Sequence, residues 1–330
     1  MALLTLQPRL REPLIWGRTA RRVVKSRTAV APCSTANLGP GYDVFGLALA
    51  ALEDRVRITR AAGSGKITIK NNDPAIPTTA DSNSAGLVAK KLMCDFHISD
   101  NIEIHVTKGV PAGYGIGSSA ASAAAAAMAF NALYNLKIDK NRLVEYAAEG
   151  EIASAGTKHY DNVSASLLGG FVVSGRNGRF IRIEPPRDLF LVVAVPISMH
   201  VPEKKTEVAR SVLPKEVPLK SVVYNISGAA TIVAGFALKD IEMIATGIDD
   251  VIVEPTRKHL IPGYDGVKQN AILAGALAVT ISGAGPSIIA FLKTSKNANK
   301  VAAAMAKGFE NVDVKSRTFA CRPSTGARLV

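Results

Sequence analysis

The residues NIEIHVTKG, 101–109, alternate cleanly: Ile102, Ile104 and Val106 fall on one side, Glu103, His105 and Thr107 on the other. That period of two predicts a half-buried strand. Upstream, 81–96 opens on polar residues and then sets Ala85, Leu87, Val88, Leu92 and Met93 at helical spacing, which predicts an amphipathic helix. Residues 28–31 read as a short strand running into a loop, APCSTANLGPGYD, punctuated by two glycines and two prolines. Residues 44–60 suit a strand pair, and GSGKITIKNND a hairpin arm. A helix is expected over 141–155, then a strand in LLGGFVVSG, entered through Gly169 and Gly170. DLFLVVAVP is a continuous apolar run of strand type and marks the start of a second domain. Beyond it come a proline-punctuated stretch at 201–218, helices at 224–238 and 239–248, a loop at 254–264 and a helix at 266–275. A strand pair in AVTISGAGPSIIAFL and a last helix at 297–309 complete the pattern. Strands and helices alternate, with hairpins between, which predicts an α+β fold without internal repeats.

The chain has 330 residues, enough for two domains of ordinary size, here 28–186 and 187–330 behind a tail at 1–27. Apolar residues make up 48% and aromatics only 5%, so small aliphatics must fill the core. Net charge is +13, but seven cations and one acid in the first 27 residues hold six of those charges, leaving +7. That tail is basic and acid-poor and carries Trp16, which fits a targeting peptide, a displaced start codon or a disordered arm alike. The remaining charge suits anionic ligands without demanding nucleic acid. Three cysteines at 33, 94 and 321 are too few and too scattered for a disulfide framework or zinc site, and fit a reducing compartment. The uncharged stretches 109–136 and 269–292 are long enough to span a bilayer, yet their Gly, Ala and Ser content reads as buried loop-plus-helix.

The chemistry concentrates where the alternating strand ends, in GYGIGSSAASAAAAAMAF, residues 113–130. A helix N-terminus offers unpaired N–H groups and the positive end of a dipole, and glycines ahead of it let a ligand reach the backbone. Phosphates are the natural guests. Ser118 and Ser119 are placed to cap that helix, or to reach a metal or phosphate oxygen. Two familiar phosphate loops are excluded. Gly117 is followed by Ser-Ser rather than Lys-Ser/Thr, and the glycines at 113, 115 and 117 lack the dinucleotide spacing.

The loop Pro111-Ala112-Gly113-Tyr114-Gly115-Ile116-Gly117-Ser118-Ser119-Ala120 resembles the signature loop of the GHMP small-molecule kinases, with Ile116 where that family usually has Leu. APCSTANLGPGYDVFGLAL near the start and SGAGPSIIAF near the end resemble the family's first and third motifs, in the same order. The resemblance implies a two-domain fold, its N-terminal domain like a ribosomal protein and its C-terminal domain like a ferredoxin. Three local signatures are similar to the homoserine kinase branch: Asn37–Asp43, with Tyr42 where Phe is commoner; HYDNVSASLLGG; and TEVARSVLP paired with DDVIVEPTRKHLIPGY.

On that resemblance the loop 111–120, with Asn83 and Lys108, holds ATP, and Ser119 with Glu151 binds Mg²⁺. Arg210 and Arg257 grip the carboxylate of L-homoserine, as guanidinium forks do well. Asp43 takes its ammonium, and Asn37, His159 and Asn162 complete the substrate site. Asn162, Thr206 and Arg257 stand at the reacting centre, where the γ-phosphate passes to the substrate hydroxyl in a step of threonine biosynthesis. Mevalonate-type relatives have Asp at position 162. An amide is no base, so transfer is expected to rest on positioning and charge stabilisation. Asp161 is expected to point away from the site, along an extended segment. The resemblance also implies a cytoplasmic homodimer without membrane or nucleic-acid partners. Two other readings stay open: a mevalonate- or shikimate-type kinase, and a basic nucleic-acid-binding protein of related fold. Scattered cations and sparse aromatics speak against the second.

Overall fold

Two long antiparallel strands, β1 (Ser26–Ala36) and β2 (Phe45–Ala61), organise the first half of the molecule. The structure, a computed structural model, describes residues 25–200, 202 and 205–330, so most of the basic tail lies outside the described residues. β1 opens at Ser26 and does not stop at Ala31. It continues through Pro32 to Ala36, because the pairing register with β2 shifts between Pro32 and Cys33. A proline that cannot donate is tolerated at such an irregularity. The first six residues of the segment read as a loop are therefore strand, and 37–44 turn.

β3 (Ile67–Asn71) is not a hairpin arm. It pairs in parallel with β4 (Asn101–Thr107), which is antiparallel to β2. A parallel pair needs a crossover, and α1 (Ser84–Asp95) supplies it. α2 (Ser118–Tyr134) follows β4 and lies against β1 and β2. Ala120–Ala127 are buried throughout, Ser122 included, so that a narrow helix packs close to the sheet. The helix expected over 141–155 is broken into α3 (Lys140–Ala148), a single 3₁₀ turn and α4 (Ile152–Ala155), which Gly156 ends in a left-handed conformation. The segment HYDNVSASLL is helical, as α5 (Asp161–Leu168), rather than extended. β5 (Phe171–Ser174) and β6 (Phe180–Ile183) then extend the first sheet.

The second sheet has the order β10-β7-β9-β8, all antiparallel, from β7 (Phe190–Val195), β8 (Ala278–Ile281), β9 (Ile288–Leu292) and β10 (Arg317–Cys321). Between β7 and β8 run α6 (Lys205–Ser211), α7 (Leu219–Leu238), α8 (Ile241–Gly247), α9 (Val253–Arg257) and α10 (Tyr264–Leu273). The stretches read as proline-rich coil and loop thus each contain a short helix. α11 (Ala298–Glu310) precedes β10, and the chain returns to the first sheet as β11 (Arg328–Leu329), paired with β1.

Three apolar clusters hold this together. The middle one joins the sheets: Leu47, Leu49 and Phe171 from the first meet Val193, Ile289 and Phe291 from the second. Phe171 stacks on Phe236 of α7 at 3.9 Å between centroids and meets Phe45 edge-on at 5.1 Å. Both long uncharged stretches are largely interior, the first through α2 and the second through β8 and β9. Among the described residues one helix, α7, is long and apolar enough to cross a membrane by length and composition.

Candidate active site

The loop between β4 and α2 is held left-handed at Gly113, Gly115 and Gly117, with φ of 85°, 76° and 65°. Two of these glycines answer close approach. A Cβ on Gly115 would lie 2.3 Å from the Gly285 carbonyl oxygen, and one on Gly117 2.2 Å from Ser34 Oγ. The three motifs of the chain thus touch at the mouth of α2. Gly117 is the N-cap residue, and no side chain caps the helix. The serines do not cap it, contrary to expectation. Ser118 Oγ donates to the Val110 carbonyl at 2.8 Å, and Ser119 Oγ to Glu151 Oε1 at 2.6 Å. The positive end of α2 therefore faces a cleft of about 620 Å³, which Ala112, Gly113, Gly115, Gly117, Ser118 and Ser119 help line. Pro111, Tyr114, Ile116 and Ala120 are not on its wall. Ile116 and Ala120 are core residues, and the Tyr114 hydroxyl donates to the Ile197 carbonyl at 3.3 Å.

Lys108 and Asn83 line the cleft but are engaged elsewhere. The Lys108 ammonium pairs with Asp54 and donates to the Ser118 carbonyl and Ser122 Oγ, both at 3.0 Å. Asp54, fully buried on β2, also accepts from the Gly109 and Val110 amides at 3.0 Å and from Ser122 Oγ at 2.6 Å. One carboxylate thereby fixes both ends of the glycine loop. Asn83 caps α1, accepting from the Ala85 and Gly86 amides at 3.0 and 3.2 Å.

The other end of the cleft is built from distant segments. Arg210 Nη2 donates to both carboxylate oxygens of Asp43 at 2.8 Å and lies 3.2 Å from His159 Nδ1. Burial, then the Arg210 charge, pushes the His159 imidazole below its ordinary pKa. Arg257 is 3% exposed, and its Nε and Nη1 donate to the carbonyls of Ala209 and Gly283 at 2.9 and 3.3 Å. Asn37 bonds the same Gly283 carbonyl at 2.8 Å and accepts from the Asp43 amide at 3.1 Å. Asn162 Oδ1 accepts from Ser34 Oγ at 3.0 Å. Thr206 lines the cleft with them.

Sequence reasoning missed Asp54 and Lys205 and misplaced Asp161. Asp161 lines the same cleft as Asn162, because the segment is helical and not extended. It is 6% exposed, and burial, then the nearby Asp43, raises its pKa to about 6. Glu151 is also buried, which raises its pKa to about 7. Lys205, at the start of α6, donates to the Gly285 carbonyl, and burial, then the Arg257 charge, lowers its pKa to about 7. Asp54 left no signal, since its partners lie over 50 positions away. Lys205 lies one position before TEVARSVLP, and Tyr42, inside Asn37–Asp43, has no site role on the resemblance alone.

The model for the GHMP kinase N-terminal domain matches residues 83–170, and that for the C-terminal domain residues 232–311. A homoserine kinase of Thermoplasma volcanium is 38% identical over 303 residues, covering 92% of this chain and 96% of the relative. One of Methanococcus maripaludis is 40% identical over 272 residues, 82% and 89% of the two chains. The crystal structure of homoserine kinase from Cytophaga hutchinsonii superposes with a TM-score of 0.86 at 34% identity, covering 93% of this chain and 98% of that one. The chain belongs to the GHMP kinase family, on its homoserine kinase branch.

Proposed function

We propose that this enzyme transfers the γ-phosphoryl group of ATP to the side-chain hydroxyl of L-homoserine, giving ADP and O-phospho-L-homoserine on the way to threonine. One observation carries the reading: a single cleft with two unlike ends, an uncapped helix mouth at one and a carboxylate flanked by two guanidinium groups at the other. The first suits a triphosphate. The second suits a zwitterion, whose ammonium meets Asp43 and whose carboxylate meets Arg210 and Arg257. Because Asp43 and Arg210 pair in the free protein, an amino acid exchanges one ion pair for two.

Ser119 and Glu151 fit a bound Mg²⁺. A buried carboxylate beside a hydroxyl is a hard oxygen set of the kind Mg²⁺ prefers. Mg²⁺ would neutralise phosphate charge there. The chain itself orients the reactants. The α2 amides bear the phosphate charge, Arg257 and Arg210 fix the amino acid, and Asn162 sets the hydroxyl without acting as base. In a loose transition state the hydroxyl proton passes late, and a phosphate oxygen receives it. Asp161 stands by as a carboxylate whose Oδ1 accepts from the backbone N–H of Asn162 at 2.7 Å.

A homodimer and a cytoplasmic setting belong to the same proposal. The exposed apolar residues Leu219, Val223 and Ile226 along α7 support the first, and three unpaired cysteines the second. ADP release measured with homoserine, mevalonate and shikimate in turn tests the reading. Turnover with homoserine alone is expected; turnover with mevalonate or shikimate in its place overturns it.

A further inference from the structure

Tyr42 sits on the turn between β1 and β2, one residue before Asp43, and lines the cleft. The guanidinium carbons of Arg210 and Arg257 both lie over its ring, 5.5 and 5.1 Å from the centroid. Its hydroxyl oxygen is shielded from solvent and has no hydrogen-bond partner, and Arg210 Nε is in the same condition. The Arg257 guanidinium lies near enough to that hydroxyl to draw its pKa down somewhat, but no hydrogen bond of sound geometry joins them. Burial dominates and raises the pKa, so the phenol stays protonated.

A buried, protonated hydroxyl must find an acceptor or carry the penalty of its lost hydration. Here its charged neighbours are two cations, which offer only donors, and Asp43, both of whose oxygens accept from Arg210. A ring lodged against two guanidinium groups is held in place by its face, and its hydroxyl has no hydrogen-bond acceptor. The oxygen of an anionic ligand would supply that acceptor and meet both guanidinium groups as well.

We propose that the Tyr42 hydroxyl is a specificity-determining donor that completes the substrate carboxylate site between Arg210 and Arg257. The inference rests on the function proposed above and adds a residue to it. The arginines supply charge, which any anion satisfies. The phenol supplies a directed third donor, and being unpaired in the free enzyme it contributes only once a carboxylate arrives. An alcohol lacking that carboxylate gains nothing from it.

Tyr42→Phe removes the hydroxyl and keeps the ring over both guanidinium groups. Two readouts move in opposite directions. The melting temperature of the ligand-free variant equals or exceeds that of the parent, because an unsatisfied polar atom is gone. KM for L-homoserine rises about ten- to hundredfold, the span of one hydrogen bond to a charged group, while KM for ATP stays as it was. Homoserine amide, which lacks the negative carboxylate, is the control: its binding, followed by calorimetry, changes less than threefold. A lower melting temperature, or failure of the variant to fold, means that the hydroxyl already has a partner and overturns the inference. So does an unchanged KM for homoserine, or an equal loss for the amide. If the parent enzyme does not phosphorylate homoserine at all, the proposed function falls first. If the parent does and the variant matches it, only the role of Tyr42 falls.

Discussion

The two ends of the cleft are made in different ways. The phosphate end is mostly backbone: three left-handed glycines, an uncapped helix and one buried carboxylate that ties the loop at both sides. It comes from one stretch of chain plus Asp54. The amino-acid end is mostly side chain: Asp43, His159, Arg210 and Arg257 come from four separated segments. Arg210 bonds Asp43 and lies against His159, Arg257 bonds two backbone carbonyls, and Arg210 Nε and the Tyr42 hydroxyl stay unpaired. A backbone site is finished by folding, so damage to it should appear as lost stability. A side-chain site is finished by its ligand, so damage should appear in substrate affinity and turnover.

Arg257→Ala should have the largest effect. It strips a buried charge bonded to two carbonyls and removes a carboxylate partner, so kcat/KM for homoserine falls by about a thousandfold, near 4 kcal/mol. Steady-state kinetics measures it, and KM for ATP should move little. Asp54→Ala tests the opposite end. It leaves the Lys108 ammonium and two amides without their acceptor, and the chain should lose about 3 kcal/mol in urea unfolding while KM for ATP rises. Loss of homoserine affinity alone would blur the contrast between the two ends.

Glu151 gives a smaller effect, with a sign set by its raised pKa. The folded chain holds that proton up to about pH 7, whereas the unfolded chain releases it near 4.5. Metal-free stability therefore falls as pH rises from about 4.5 to 7 and levels off above. Glu151→Gln should flatten that slope and leave the metal-free protein about 2 kcal/mol more stable at pH 8. Thermal melts across pH without Mg²⁺ check it. Asp161→Asn should do least, lowering kcat less than tenfold. If it alone abolished turnover, the hydroxyl would need a protein base after all.

The same contrast explains what the sequence revealed. The glycine loop was legible because its parts are adjacent: strand, three glycines, serines, alanine-lined helix. Arg210, Arg257, Asp43 and His159 were found through resemblance of short motifs, since nothing local says that residues 43 and 210 meet. Asp161 lies inside α5 rather than capping it: the N-cap is Tyr160, which has no capping side chain, so the start signal that Asp161 gives is displaced by one position. β1 was cut short at Pro32, since the register shift that absorbs the proline exists only once β2 is paired. β3 resembles a hairpin arm in sequence because its parallel partner, Ile67 opposite Ile102, is too distant to leave a turn signature. Asp54 looked like any charged residue in a strand, and its burial depends on Lys108 and α2 arriving beside it.

The central claim is that the triphosphate lies at the mouth of α2 while the amino acid spans Asp43 and the two arginines. A crystal structure with a non-hydrolysable ATP analogue, Mg²⁺ and L-homoserine tests it most directly. The account requires phosphate oxygens against the amides that open α2, and the homoserine carboxylate between Arg210 and Arg257 with its hydroxyl toward the γ-phosphate. Nucleotide bound away from that helix, or homoserine turned so that its carboxylate avoids both guanidinium groups, would contradict it.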